Sequence, residues 1–99
     1  MGTPLSVSTE RRSNGTQALI ARGEIDLSNI DTFIQALRDA ASDGGTVTVD
    51  LGAVEYLDSA AINALFAHVD QIEIVANQVL MPLLTVSGLT GLVTVHPRP

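Results

Sequence analysis

The run Val49-Asp50-Leu51-Gly52-Ala53-Val54-Glu55-Tyr56-Leu57-Asp58-Ser59-Ala60-Ala61-Ile62 constrains this chain more than any other segment. It reads as a buried strand, a tight polar turn and the start of a helix. Val47, Val49 and Leu51 alternate with Thr46, Thr48 and Asp50, the period-two pattern of a strand with one covered face. Asp58 and Ser59 then stand just before an apolar run at helical spacing. Both are good N-cap residues, because a short side-chain oxygen can accept a bond from an orphan backbone N–H. The Ser59 hydroxyl is expected to serve as that cap. A strand that delivers small polar groups to a helix N-terminus also presents free donors and a positive dipole end, a natural place for binding or regulation.

Alternating strands and helices extend from this segment in both directions. Leu5 to Glu10 reads as an edge strand, Ser13-Asn14-Gly15 as a hairpin turn and Ala18 to Ile25 as a second strand. Gly23 is placed for a bulge or a close backbone approach. Ser28-Asn29-Ile30-Asp31 resembles a capping box with Asp in place of Glu or Gln. The helix that follows puts Ile30, Phe33, Ile34, Leu37 and Ala41 on one face. Gly44-Gly45 closes it, and Thr46 to Leu51 is the next strand. A helix is expected from Ser59 to Val69, a strand from Ile72 to Val75, a helix from Asn77 to Ser87 stopped by Gly88, and a strand from Leu92 to Val95. Pro82 fits the last helix only near its first turn. His96-Pro97-Arg98-Pro99 reads as a frayed tail.

This order predicts a single α/β domain over residues 1–99. It would contain one mixed sheet, an N-terminal antiparallel hairpin and about three helices packed mainly on one side. The inward set should include Ile20, Phe33, Leu37, Val49, Leu51, Leu65, Phe66, Leu84 and Leu89. Ninety-nine residues, 45% of them apolar, are enough for one core.

Composition excludes several functions. There is no cysteine, hence no disulfide framework and no thiolate metal site. Every basic residue is arginine, and the net charge is −6, which argues against nucleic acid. No basic-then-apolar leader and no membrane-length apolar run is present, so a soluble cytoplasmic protein without membrane insertion is expected. No cofactor is expected either. His68 and His96 lie on different elements with no carboxylate at ligand spacing. Thr85-Val86-Ser87-Gly88 lacks the first glycine of a nucleophile elbow. Gly88 and Gly91 follow a helix where a dinucleotide fingerprint requires a strand. Asp50 and Glu55 read as solvated loop charges. Nothing assembles an acid, a base and a nucleophile, so the chain is not expected to be an enzyme.

Three segments in order carry a family resemblance: Gly23-Glu24-Ile25-Asp26 before a capped helix, Val49-Asp50-Leu51 through Asp58-Ser59, and Leu84-Thr85-Val86-Ser87-Gly88-Leu89. Over nearly its whole length the chain resembles the STAS domain family, and within it the bacterial anti-sigma factor antagonists. The resemblance implies a non-enzymatic module that binds a kinase-like anti-sigma factor and so frees a sigma factor for transcription. It implies a contact surface on Asp26 and its loop, on Asp58-Ser59, and on the outer start of the following helix, including Asn63. The residues themselves lead to the same region, since Asp26, Ser28, Asn29 and Asp58 follow the ends of two strands that should be neighbours. All four could equally serve only as caps and turn closers.

Two positions depart from the family pattern. The usual phosphate acceptor is the Ser or Thr after the Asp-Ser pair, and here that position is Ala60, followed by Ala61. Ser59 is the nearest substitute for phosphorylation, and capping would hide its hydroxyl. The link from the second helix to the next strand is also short, with only Asp70 and Gln71 between Val69 and Ile72. The alternative implied by the resemblance is a STAS adaptor that binds the ATPase subunit of a membrane lipid or solute transport complex. Relatives in that role often lack the acceptor.

Overall fold

A computed structural model describes residues 2–12 and 15–98. The chain runs β1 (Ser6–Arg11), β2 (Gln17–Ile25), α1 (Ile30–Ala41), β3 (Val47–Leu57), α2 (Ser59–Phe66), β4 (Ile72–Ala76), α3 (Met81–Ser87), a 3₁₀ turn (Leu89–Gly91) and β5 (Val95–Pro97). The strands form one sheet in sequence order. β1 pairs antiparallel with β2, and the other pairs are parallel. Parallel neighbours cannot be joined by a tight turn, so a helix bridges each of the three crossovers. The architecture is the expected mixed sheet with a hairpin at one edge. Of the turn expected at Ser13-Asn14-Gly15, the first two residues lie outside the described ones. Gly15 has φ +86°, the left-handed conformation such a turn needs.

The helices cover one face. Phe33 and Leu37 of α1, Leu65 of α2 and Leu84 of α3 are fully buried against Leu19, Val49, Leu51 and Ile74 of the sheet. Two members of the expected inward set differ. Ile20 is only half-buried, because its neighbours Leu19 and Ala21 point into the core and alternation turns Ile20 to the helix-free face. Phe66 is partly buried at the rim of the core, at the end of α2.

β3 is almost twice as long as its sequence pattern suggests. The expected turn after Leu51 is strand as far as Leu57. Its buried apolar positions are Val47, Val49, Leu51, Val54 and Leu57, so the spacing changes from two to three. Two irregularities against β2 explain the change. Ile20 pairs with Asp50 but Arg22 with Ala53, and Gly23 pairs with Val54 but Glu24 with Tyr56. Each inserts one extra residue on β3, and each bulge returns an apolar side chain to the core face. On the other side β4 ends at Ala76, opposite Leu51. There the Asn77 side-chain amide lies 3.4, 3.2 and 2.8 Å from the carbonyls of Leu51, Gly52 and Val54, and it supplies the donors that the missing strand would have given. Gly23 sits at the bulged stretch with φ +90°, and a Cβ there would lie 2.3 Å from the Pro4 carbonyl oxygen. The close backbone approach expected of this glycine is therefore present.

Helix ends also moved. α2 stops at Phe66 rather than Val69. α3 starts at Met81 rather than Asn77, which places Pro82 in the first turn, where its missing N–H costs nothing. Gly88, with φ +93°, closes α3 as expected.

Residues 96–98 of the C-terminal tail are pinned rather than frayed, and Pro99 lies outside the described residues. His96 and Pro97 belong to β5, and the Arg98 N–H donates to the Ala76 carbonyl at 2.7 Å. The Arg98 guanidinium donates to Asp50 at 2.6 Å, and Asp50 is buried, not a solvated loop charge. The pair is a consequence of tertiary contact between the tail and the middle of β3.

Candidate functional site

Two chain segments meet at the C-terminal ends of β2 and β3. The first is the loop from Asp26 to Asn29, and the second is the start of α2. The Asp58 N–H donates to the Ile25 carbonyl at 3.2 Å, so the exits of the two strands remain hydrogen-bonded to each other.

Asp58 is the N-cap of α2, with extended backbone (φ −97°, ψ −174°). One carboxylate oxygen accepts from the Ala61 N–H at 3.1 Å. The other accepts from the Leu27 N–H at 2.9 Å, across 31 residues of sequence. Both oxygens are thus engaged by backbone donors of the protein itself. The capping role expected of Ser59 belongs to Asp58. Ser59 is the first helical residue and is exposed. Asn63 lies one turn further along the same helix and is exposed as well, so Ser59 and Asn63 share an outward face. Ala60, at the family's acceptor position, is half-buried.

The Asp26 loop is organised by its own side chains. One Asp26 carboxylate oxygen accepts from the Ser28 N–H at 2.9 Å and also from the Ser28 hydroxyl. The Asn29 side-chain oxygen accepts from the Asp26 N–H at 3.0 Å, and its amide donates to the Glu24 carbonyl at 2.9 Å. Ser28 therefore does not cap α1. The residue at the cap position is Asn29, whose side chain makes no capping bond to the helix. The capping box read from Ser28-Asn29-Ile30-Asp31 is replaced by an Asx-type turn, because the carboxylate two residues earlier competes for the same groups.

Leu27 emerges from this knuckle with 76% of its surface exposed. The sequence reading passed over it. Its signal was an apolar residue inside a run of Asp, Ser and Asn. Beside the loop, a cavity of about 390 Å³ opens between the N-terminal segment and Asp26, Ser28, Asn29 and Thr32. The N-terminal segment is held there by the Glu24 N–H, which donates to the Thr3 carbonyl at 3.1 Å.

The structure thus brings together all of the residues proposed from sequence: Asp26, Ser28, Asp58, Ser59 and Asn63. The first two share the loop, the last two share a helix face, and Asp58 joins the halves. Among the described residues no group of His, Asp and Glu is arranged to hold a metal ion, and no helix is long and apolar enough to cross a membrane.

Comparison with known proteins bears on this architecture. An anti-sigma factor antagonist from Mycobacterium paratuberculosis superposes with a TM-score of 0.89 at 22% identity, over 96% of this chain and 87% of that one. SpoIIAA, an anti-sigma factor antagonist in its unphosphorylated form, gives 0.75 at 12% identity, over 95% and 89%. The STAS domain of an antisigma-factor antagonist from Rhodobacter sphaeroides gives 0.54 at 19% identity, over 73% and 84%. At these identities the likeness is one of fold. No curated protein matches the chain by sequence. The family described as Mlab, STAS domain matches residues 8–94. The chain therefore belongs to the STAS domain family.

Proposed function

We propose that this protein is an anti-sigma factor antagonist acting in the cytoplasm. On this reading it binds a kinase-like anti-sigma factor through the edge formed by the Asp26 loop and the start of α2. The observation that carries the reading is the Asp58 clamp. One carboxylate joins the loop to the helix start, so that Asp26, Ser28, Ser59 and Asn63 form one ordered, accessible edge. A preordered edge loses little conformational entropy on binding. The charge of the chain, −6, favours a partner that presents Arg or Lys to this edge. Ala60 has no hydroxyl, so phosphorylation at the family's usual position is impossible, and the binding is constitutive or controlled through the partner. The test is calorimetry against the cognate anti-sigma factor with Asp26→Arg and Asn63→Arg. Neither residue caps α2, so both variants should fold and bind weakly. Unchanged affinity in both would show that the surface lies elsewhere.

Ala60 favours a second reading, an adaptor that docks on the ATPase subunit of a membrane transport complex with the same edge. Binding to an ATPase subunit, and not to an anti-sigma factor, would select it.

A further inference from the structure

We propose that Leu27 is the apolar anchor of the partner interface, and that Asp58 acts as the positioning residue that holds it out. The inference rests on reading the Asp26–Asp58 edge as the partner surface. It changes which chemistry that surface uses and which pocket the partner must offer.

The hydrogen-bond inventory of the edge points this way. Each carboxylate oxygen has two acceptor sites, and at this edge the knuckle itself already takes up part of that capacity. Asp58 has each oxygen engaged by a backbone N–H, Ala61 at 3.1 Å and Leu27 at 2.9 Å. Asp26 spends one oxygen on Ser28, and Asn29 spends both ends of its amide on Asp26 and Glu24. These polar side chains mainly face inward, toward the backbone of their own knuckle. What they collectively hold out is Leu27. Its backbone is fixed from the far side by Asp58, yet its side chain is 76% exposed.

An exposed leucine on a mobile loop is unremarkable. An exposed leucine whose N–H is tethered across 31 residues to a helix cap is ordered before any partner arrives. Immobilising a rotamer-rich side chain or loop at an interface costs about 0.5–1.5 kcal/mol, and a preordered backbone avoids much of that cost. Anchors of this kind dominate interfaces when a fully desolvated pocket receives them and polar groups ring the contact. Here Asp26 and Ser28 flank Leu27 in the chain, and Ser59 and Asn63 stand on the adjoining helix face. The matching partner surface is an apolar pocket with Arg or Lys at its rim, the Asp26 side meeting the basic groups. Steering comes from charge and retention from Leu27, so the two contributions separate kinetically.

The experiment measures binding of the full chain to its cognate kinase-like anti-sigma factor and, in a second arm, to the transport ATPase subunit. Variants are Leu27→Ala, Asp58→Asn, their double mutant, and Val86→Ala. Val86 is 86% exposed on α3, and its variant controls for loss of a generic surface methyl pair. Leu27→Ala should leave the melting temperature unchanged and weaken binding by about tenfold or more, mainly through faster dissociation. Val86→Ala should bind as the native chain does. Asp58→Asn keeps one acceptor and turns an amide toward the other N–H. It should weaken binding in the native background but add little once Leu27 is gone. A purely structural Asp58 would give additive losses instead. If the native chain binds either partner and Leu27→Ala binds equally well, the anchor is wrong and the reading of the edge survives. A lowered melting temperature for Leu27→Ala would show a packed side chain and also overturn the anchor. If the native chain binds neither partner, both the reading and the anchor fall.

Discussion

Arg98 reaches back 48 residues to place its guanidinium 2.6 Å from the carboxylate of Asp50, in the middle of β3 on the helix-free face of the sheet. The other Asp50 oxygen accepts from the Gly52 N–H at 2.9 Å. Arg98 crosses directly over Gly52, where a Cβ would meet its Cδ at 2.5 Å. Arg98 is in this way tied to the centre of β3. Replacing Arg98 by Met should leave the Asp50 carboxylate, whose side chain is 10% exposed, without its cation. Arg98 itself is half exposed, so solvent moderates the loss, and about 1–2 kcal/mol is expected. Urea denaturation measures it. Asp50→Asn in the same chain should recover part of the stability, and an unchanged midpoint for Arg98→Met would show the pair to be ornamental.

Gly23 and Gly44 should respond differently to alanine, although both have positive φ, +90° and +82°. At Gly44 a Cβ meets nothing within 4 Å, so only the left-handed conformation is penalised, by about 1–2 kcal/mol. At Gly23 the same penalty is joined by a backbone clash with Pro4. Gly23→Ala should be clearly the more destabilising in thermal melts, and it should release the N-terminal segment to faster hydrogen exchange.

Leu65 and Phe66 are adjacent, yet they face different surroundings. Leu65 is fully buried, and truncation to Ala should cost on the order of 2–5 kcal/mol. Phe66 is partly buried, and its truncation should cost less despite the larger side chain. Equilibrium unfolding of the two variants gives the ranking directly, and the reverse order would contradict the placement of α2.

Asn77 serves both strand and helix. Its amide faces three carbonyls of β3, while its oxygen accepts from the Leu80 N–H at 3.1 Å. Asn77→Asp keeps the acceptor and deletes the donor. It should destabilise by about 1–3 kcal/mol, since part-buried carbonyls would then face a carboxylate. An Asp variant as stable as the native chain would rule out the donor role.

Installing the family's acceptor should create a switch. Ala60 is half-buried in the first turn of α2. A60S supplies a hydroxyl there, and a phosphate on it adds about −1.5 to −2 charges beside the partner edge. Incubated with the cognate kinase and ATP, the variant should lose binding while the native chain stays bound. Mass spectrometry locates the phosphate. Ser59 is exposed and does not cap α2, so its accessibility is not the obstacle. Stoichiometric phosphate on Ser59 of the native chain, with loss of binding, would overturn the expectation of constitutive binding.

Much of this architecture was legible in local pattern. The order of elements followed from period-two and period-3.6 spacing, and Gly88 marked a helix end where φ had to be positive. The junction that holds the candidate site was legible for a related reason, since short polar residues cluster where strands hand over to helices. The sequence by itself therefore determined the strand–helix order, most of the core and the neighbourhood of the edge. Tertiary structure decided the rest, in each case because the deciding partner is remote in sequence. β3 looked as though it ended at Leu51, because two bulges against β2 change its period, and bulges are set by register with a neighbour. Asp50 looked solvated because its cation lies 48 residues away. Both Ser59 and Asp58 suited a cap on local grounds, and Ser59 was the one expected, but the cap is Asp58. The Leu27 N–H, reached only when β2 and β3 pair, gives Asp58 a second backbone donor and makes it the clamp of the edge.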